Sequence, residues 1–216
     1  MFLILLSCMA QKTRSLILLA FVMLLTIGIT DAKTYTVQPT GSNHDQDVIN
    51  DALKEAANSG GGTVYLENSG TNYVFITNGP IQIPSGNIVL TGDSDITVRV
   101  YSGSDAVQWF TGTNSIITAV GQIDNLEIYG FQIDGSCDKL NFEFHHSRAD
   151  TAHDCGRAIY IQGSSSRFNN NIKVHDMRIT NCFSDGIHIR FANSVHCYSN
   201  FISNCQHEGI FWTCVI

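Results

Sequence analysis

The stretch NIKVHDMRITNCFSDGIHI at 171–189 returns as SVHCYSNFISNCQHEGIFW at 194–212, an offset of 23 positions. Aligned this way, Ile172 falls on Val195, Val174 on Cys197 and Ile179 on Ile202. Asn181-Cys182 falls on Asn204-Cys205, and Gly186-Ile187 on Gly209-Ile210. An earlier copy begins NLEIYGFQIDG at Asn125, breaks off, and resumes as GRAIYIQG at Gly156. A unit of this length, made of short apolar strands, buries its inward side chains only when a neighbouring unit stacks on it. Asn over Asn at a turn gives a hydrogen-bonded ladder. Cys182 over Cys205 would stack likewise, at the strand spacing of about 4.8 Å. The pattern predicts an all-β solenoid, a parallel β-helix.

The upstream sequence fits that expectation. Residues 34–41, TYTVQPTG, read as a short lead-in strand. Asp45–Asn58 reads as a capping helix, with Val48, Ile49, Ala52, Leu53, Ala56 and Ala57 on one narrow stripe. Gly60-Gly61-Gly62 ends it. Short strands follow (TVYL, YVFI, IQI, NIVL, ITVRV), separated by SGTN, TNGP, PSGN and TGDSD. Charged residues are 14% of the chain, too apolar a balance for disorder. The net charge of −7, with no Lys/Arg-rich run, argues against a nucleic-acid partner, which needs a basic footprint.

Residues 15–30, SLILLAFVMLLTIGIT, form an apolar run behind Lys12 and Arg14, followed by small residues around Ala32. Residues 1–32 therefore read as a secretory signal peptide or an uncleaved membrane anchor. That leaves 33–216 as the β-helix domain, secreted or at the cell surface and expected to be a monomer. Such a location permits disulfides among Cys137, Cys155, Cys182, Cys197, Cys205 and Cys214. Cys137 and Cys155 could close the polar segment between them; buried thiols are the plainer alternative for the others. The inserted loop 138–154 carries His145, His146, Asp150, His153 and Asp154. Their spacing matches no zinc template, and the loop is expected to wall one side of a groove. Trp109 and Phe110 are expected in the core, and His175 and His196 over strand surfaces. The final GIFWTCVI is an apolar strand without a polar cap, so the chain reads as the N-terminal part of a longer protein.

The helix ending in SGGGTVYL, the GPIQIPSGNIVLTGD that follows, and the IYGFQIDG and SDGIHI segments resemble right-handed parallel β-helix proteins of the pectate lyase and polygalacturonase type. The stretch NNIKVHDMRITNCFSDGIHIRFANSVHCYSNFISNCQHEGIFWTCV is more similar still to the disaggregatase-related surface proteins of methanogenic archaea. The similarity covers most of residues 34–216. It implies a right-handed solenoid that acts on an acidic, uronate-containing extracellular polysaccharide matrix. The chain departs from the polygalacturonase pattern. Of the Asn-Thr-Asp motif only Asp185 remains, His207-Glu208 stands where the acid pair would be, and the Gly-His-Gly and Arg-Ile-Lys motifs are absent.

With Ala158 set on Gly186, the repeat register places Arg157, Asp185 and Glu208 in one column. Tyr160, His188 and Phe211 fall in the next. Strand alternation turns Ile187 and Ile189 inward and His188 and Arg190 outward. The expected result is an outward groove with His207 at its turn edge. Aromatics beside carboxylates suit a sugar, and Tyr160, Arg190, His207 and Phe211 are the expected substrate-binding residues. Glycoside hydrolysis needs two carboxyls in opposite protonation states. Repulsion between stacked acids would raise one pKa, making Glu208 the general acid and Asp185 the nucleophile or base, kept ionised by Arg157. The competing reading makes both acids a structural turn ladder. A lyase is the rival chemistry, with His188 as base and Arg157 and Arg190 neutralising a uronate. No resident cofactor is expected, although calcium could assist through Asp185 and Glu208. The alternative from another class is a non-catalytic carbohydrate-binding or structural surface module.

Overall fold

The computed structural model describes residues 32–70, 73–103, 115–137, 139 and 156–215. The apolar leader, Trp109, Phe110, Cys155 and the His/Asp-rich loop lie outside the described residues, as does the side chain of Cys214. The strands are β1 (Thr34–Val37), β2 (Gly62–Leu66), β3 (Val74–Thr77), β4 (Ile81–Gln82), β5 (Ile88–Gly92), β6 (Thr97–Val100), β7 (Ser115–Val120) and β8 (Leu126–Tyr129). They continue as β9 (Gln132–Asp134), β10 (Arg157–Gln162), β11 (Asn169–His175), β12 (Arg178–Thr180), β13 (Ile187–Tyr198), β14 (Phe201–Ser203) and β15 (Ile210–Val215). One helix, α1 (Asp45–Asn58), interrupts them. Among the described residues no helix is long and apolar enough to cross a membrane.

Every pairing between these strands is parallel. One sheet runs β1-β2-β5-β8-β11-β13-β10-β7-β4, with β15 also on β13; a second runs β14-β12-β9-β6-β3. The fold is thus all-β apart from one helix, with parallel sheets throughout.

Register turns the sequence pattern into a core. Val64, Leu90, Ile128 and Val174 are successive partners, and all are fully buried. In the second sheet Phe75, Val98, Ile133 and Ile179 form the corresponding column. Ile81, Ile117, Ile159 and Ile187 form a third. The 23-residue repeat holds pair by pair, with Ile172 on Val195, Val174 on Cys197, Ile179 on Ile202 and Ile187 on Ile210.

The helix ends where expected, because Gly60 takes the left-handed φ of 86° just after the C-cap Ser59, with Gly60 N–H on Ala57 O at 3.0 Å and Gly61 N–H on Ala56 O at 2.9 Å. At Gly61 and Gly62 a Cβ would meet the carbonyl oxygens of Asn87 at 2.4 Å and Lys33 at 2.6 Å. Ile49, Leu53 and Ala56 bury the helix's apolar stripe. Its polar residues satisfy the main chain of the nearby strands. Buried Asp45 accepts from the Thr40 and Ile76 N–H groups, both at 2.9 Å. Gln46 accepts from Asn78 N–H at 3.1 Å, and Asn50 from Gln82 N–H at 2.7 Å. A helix placed here removes an unpaired strand edge.

The turns are held by amide ladders. Asn171 donates to Asn125 at 3.0 Å, and Asn125 to Asn87 at 2.8 Å. Asn204 donates to Asn181 at 2.6 Å, and Asn181 to Asp134 at 3.0 Å, so the expected Asn ladder ends on a carboxylate. Arg99 binds that carboxylate at 3.0 Å. Each of these five Asn residues has φ between 53° and 59°, the left-handed region that Asn tolerates better than most residues. Asn181→Ala removes two hydrogen bonds and leaves that strain, so unfolding in urea should show a loss of about 2–3 kcal/mol. A loss under about 0.5 kcal/mol, the level of a neutral surface change, would show that the ladder does not support the fold.

Candidate active site

Three adjacent strands build the site. Tyr160 of β10, His188 of β13 and Phe211 of β15 are register partners. Preceding them are Arg157, the Asp185-Gly186 turn and the His207-Glu208-Gly209 turn. The two turns are stitched together by Gly186 N–H to Glu208 O and Ile187 N–H to Gly209 O, both at 3.0 Å. Glycine is required at 186, where a Cβ would lie 2.7 Å from the Gly209 carbonyl oxygen and from the Ile202 side chain.

Asp185 is the hub. It is 1% exposed, and its two oxygens face nitrogen from several sides. His188 Nδ1 lies 2.7 Å from Oδ2, and His207 Nδ1 lies 2.5 Å from Oδ1. The Glu208 backbone N–H donates to Oδ1 at 3.2 Å, and Arg157 Nε stands 3.5 Å from Oδ2. Burial works against the charge on Asp185. The hydrogen bonds from His188, His207 and the Glu208 amide outweigh it and hold the pKa below the ordinary aspartate value. A carboxylate only accepts, so both imidazoles must carry their proton on Nδ1. In a neutral imidazole that leaves Nε2 as the basic atom.

The His188 ring is fixed from two more sides. Tyr160 meets it edge-on at 5.2 Å and Phe211 at 4.7 Å between centroids. Its Nε2 is buried and has no hydrogen-bond partner among the described residues. Asp185, His188, His207, Glu208 and Phe211 line a cavity of about 270 Å³.

Five of the eight residues expected in the site thus line one cavity, and the other three do not. Arg157 (2% exposed) and Tyr160 (9%) are buried and stack, with the guanidinium 4.6 Å from the ring centroid. Tyr160 gives its hydroxyl to Gln162, and Arg190 lies over Phe191 at 5.6 Å. The open strip expected from alternation is therefore corrected. His188 does leave the strand away from the Ile column, yet it is only 5% exposed, because its register partners on both sides are aromatic. The expected contact of Asp185 with Glu208 is through the Glu208 amide. Arg157 Nε lies 3.5 Å from Asp185 Oδ2, while the groups that lower the Asp185 pKa are the two imidazoles and the Glu208 amide. Calcium does not fit, since each Asp185 oxygen already faces an imidazole. Among the described residues no group of three or more His, Cys, Asp or Glu could hold a metal ion.

A second cluster was not expected. His175 is sandwiched between Tyr129 (4.7 Å, 8°) and Tyr198 (4.5 Å, 5°). Its nitrogens meet Asp176 at 2.7 Å and Glu127 at 3.0 Å. The signal was present, since the 23-residue offset puts Tyr198 on His175.

No family model matches the chain, and no curated protein matches it. Among solved structures, one from Parabacteroides merdae ATCC 43184, provisionally described as a glycosyl hydrolase, has the same fold. The TM-score is 0.65 at 16% identity, covering 85% of this chain and 81% of that one.

Asp185→Asn tests the hub. A depressed folded-state pKa contributes stability above the unfolded value of about 3.9, and that contribution is lost as pH falls through the folded value. The wild type should therefore exceed the variant in stability at neutral pH, with a gap that closes on acidification. Urea unfolding across pH checks this. A gap that persists unchanged into acid would contradict an ionised Asp185.

Proposed function

We propose that the chain is a glycoside hydrolase acting on an extracellular acidic polysaccharide. The observation that carries this reading is the buried Asp185 carboxylate, which orients two imidazoles beside Glu208 in one cavity. In this reading Glu208, exposed at the cavity edge, is the general acid that protonates the leaving oxygen. His188 Nε2 is covered by Phe211, so in this reading that ring must shift to admit water, from which Nε2 takes a proton as the water oxygen attacks the anomeric carbon. Asp185 is too enclosed to be the nucleophile and acts as a positioning residue through His188, while Arg157 and Tyr160 brace the pair from behind. Phe211 offers an apolar surface to a sugar face, and His207 offers a polar edge. The neighbour from P. merdae supports the same reaction class through its own description.

The finer fold reading is a right-handed parallel β-helix with α1 over its first strands. It is supported by in-register pairing of each strand with its counterpart one repeat away. Secretion or surface attachment through residues 1–32, a monomeric state, a uronate substrate and kinship with disaggregatase-related proteins rest on the sequence reading.

A lyase is the second reading, favoured by one observation. An imidazole held by a carboxylate is the type of base that removes a proton next to a uronate carboxyl.

The full chain, incubated with a panel of uronate-containing polysaccharides, should release reducing ends without the absorbance of unsaturated uronate. Glu208→Gln and His188→Gln should each lower the rate about 100-fold or more, with unchanged circular dichroism. Reducing ends with that absorbance would replace the hydrolase by the lyase. No cleavage by the folded chain would leave a binding or structural module.

A further inference from the structure

We infer that Cys182 and Cys205 are a disulfide-forming pair that latches the turn carrying His207 and Glu208 onto the turn carrying Asp185. The inference does not rest on the proposed chemistry. The pairing of β12 with β14 continues past Thr180↔Ser203 and brings Cys182 opposite Cys205. Parallel neighbours stand about 4.8 Å apart, within the Cα separation of about 4.4–6.8 Å that a disulfide requires. The main chain holds this approach through Gln206 N–H to Cys182 O at 3.1 Å and Asn204 to Asn181 at 2.6 Å. The side chains run alike, with Cys182 Sγ 3.6 Å from Thr180 O and Cys205 Sγ 3.8 Å from Ser203 O. The two sulfurs are near enough for each to shift the other's titration.

The pair is chemically unequal. The neighbouring Cys182 lowers the Cys205 pKa against the effect of burial. Cys205, together with full burial, raises that of Cys182. Half-buried Cys205 is therefore the attacking thiolate and Cys182 the resolving thiol. The oxidant is a small-molecule disulfide. Cys205 attacks one of its sulfurs, forming a mixed disulfide and expelling one thiolate. Cys182 then attacks the Cys205 sulfur, expels the second thiolate and gives up its proton to it. Two protein thiols become one disulfide, and the oxidant becomes two thiols.

The consequence is positional. Each cysteine precedes a site acid by three residues, Asp185 in one turn and Glu208 in the next. A bond between them fixes the turn that places His207 against Asp185. Cys197, on β13, is buried enough that its pKa is raised to about 11 and it stays out of the exchange.

The test uses the reduced full chain exposed to oxidised glutathione, followed by non-reducing peptide mapping by mass spectrometry. The expected product is a Cys182–Cys205 cross-link two hydrogens lighter than the free peptides. It should raise the thermal midpoint by about 5–10 °C over the reduced chain. Cys205→Ser should abolish both effects, and Cys197→Ser should leave both intact. Both thiols remaining alkylatable in the folded chain, a glutathione adduct persisting on Cys205, or a link from either cysteine to Cys137 would each overturn the inference. If Cys205→Ser fails to fold, the wild-type peptide map decides alone.

Discussion

In-register parallel pairing is the constraint from which the rest of this molecule follows. Each residue lies about 4.8 Å from its counterpart on the next strand, so a side chain must be compatible with its own kind. Branched aliphatics meet that condition, hence the columns through Val64, Leu90, Ile128 and Val174 and through Ile81, Ile117, Ile159 and Ile187. Asparagine meets it at turns, because one amide donates up the ladder while its oxygen accepts from below. Aromatic rings meet it by stacking, as Tyr129, His175 and Tyr198 do. Charge does not, and the chain alternates sign instead. Lys173 lies on Glu127, 3.6 Å away.

The candidate site is where alternation of sign is incomplete. Arg157 stacks on Asp185, but the next position in the column is Glu208, a second acid. Glu208 is exposed, so the cost of a second acid at strand spacing falls on the buried Asp185 carboxylate. The chain relieves this by turning a main-chain N–H of Glu208 toward Asp185 and bringing in two imidazoles from His188 and His207. What repetition makes unfavourable becomes a polar network in which one buried charge sets two tautomers. That network is costly to leave half-satisfied, so it fixes its members closely.

The repeat made most of the fold legible. Short apolar strands, Asn-Cys and Gly-Ile at a constant offset specify both the strands and their register, since parallel pairing preserves offset. The helix was legible from its stripe and its glycines. What its polar residues do was not, because Asp45, Gln46 and Asn50 bind main-chain groups of β3, β4 and their connections, which no local pattern specifies. In the site, the columns were legible and the exposure was not. Alternation gives the direction in which His188 leaves the strand, but not that Tyr160 and Phe211 close over it. Nor does a turn sequence show that His207 folds back onto Asp185, since that depends on left-handed residues such as Asn204 setting the path of the turn.

β13 shows how far the constraint reaches. Its first half pairs with β10 and β15, and its second half with β11. Phe191 and Ser194, at φ of 51° and 53°, turn the strand between the two. His188 stands in the first half, fixed on both sides by register partners and from its own turn by Asp185. The bend lets β11 follow a different course without dragging the imidazole from its carboxylate. An imidazole supported this way has little conformational freedom left to lose, which is the geometric requirement of the acid–base role proposed for it.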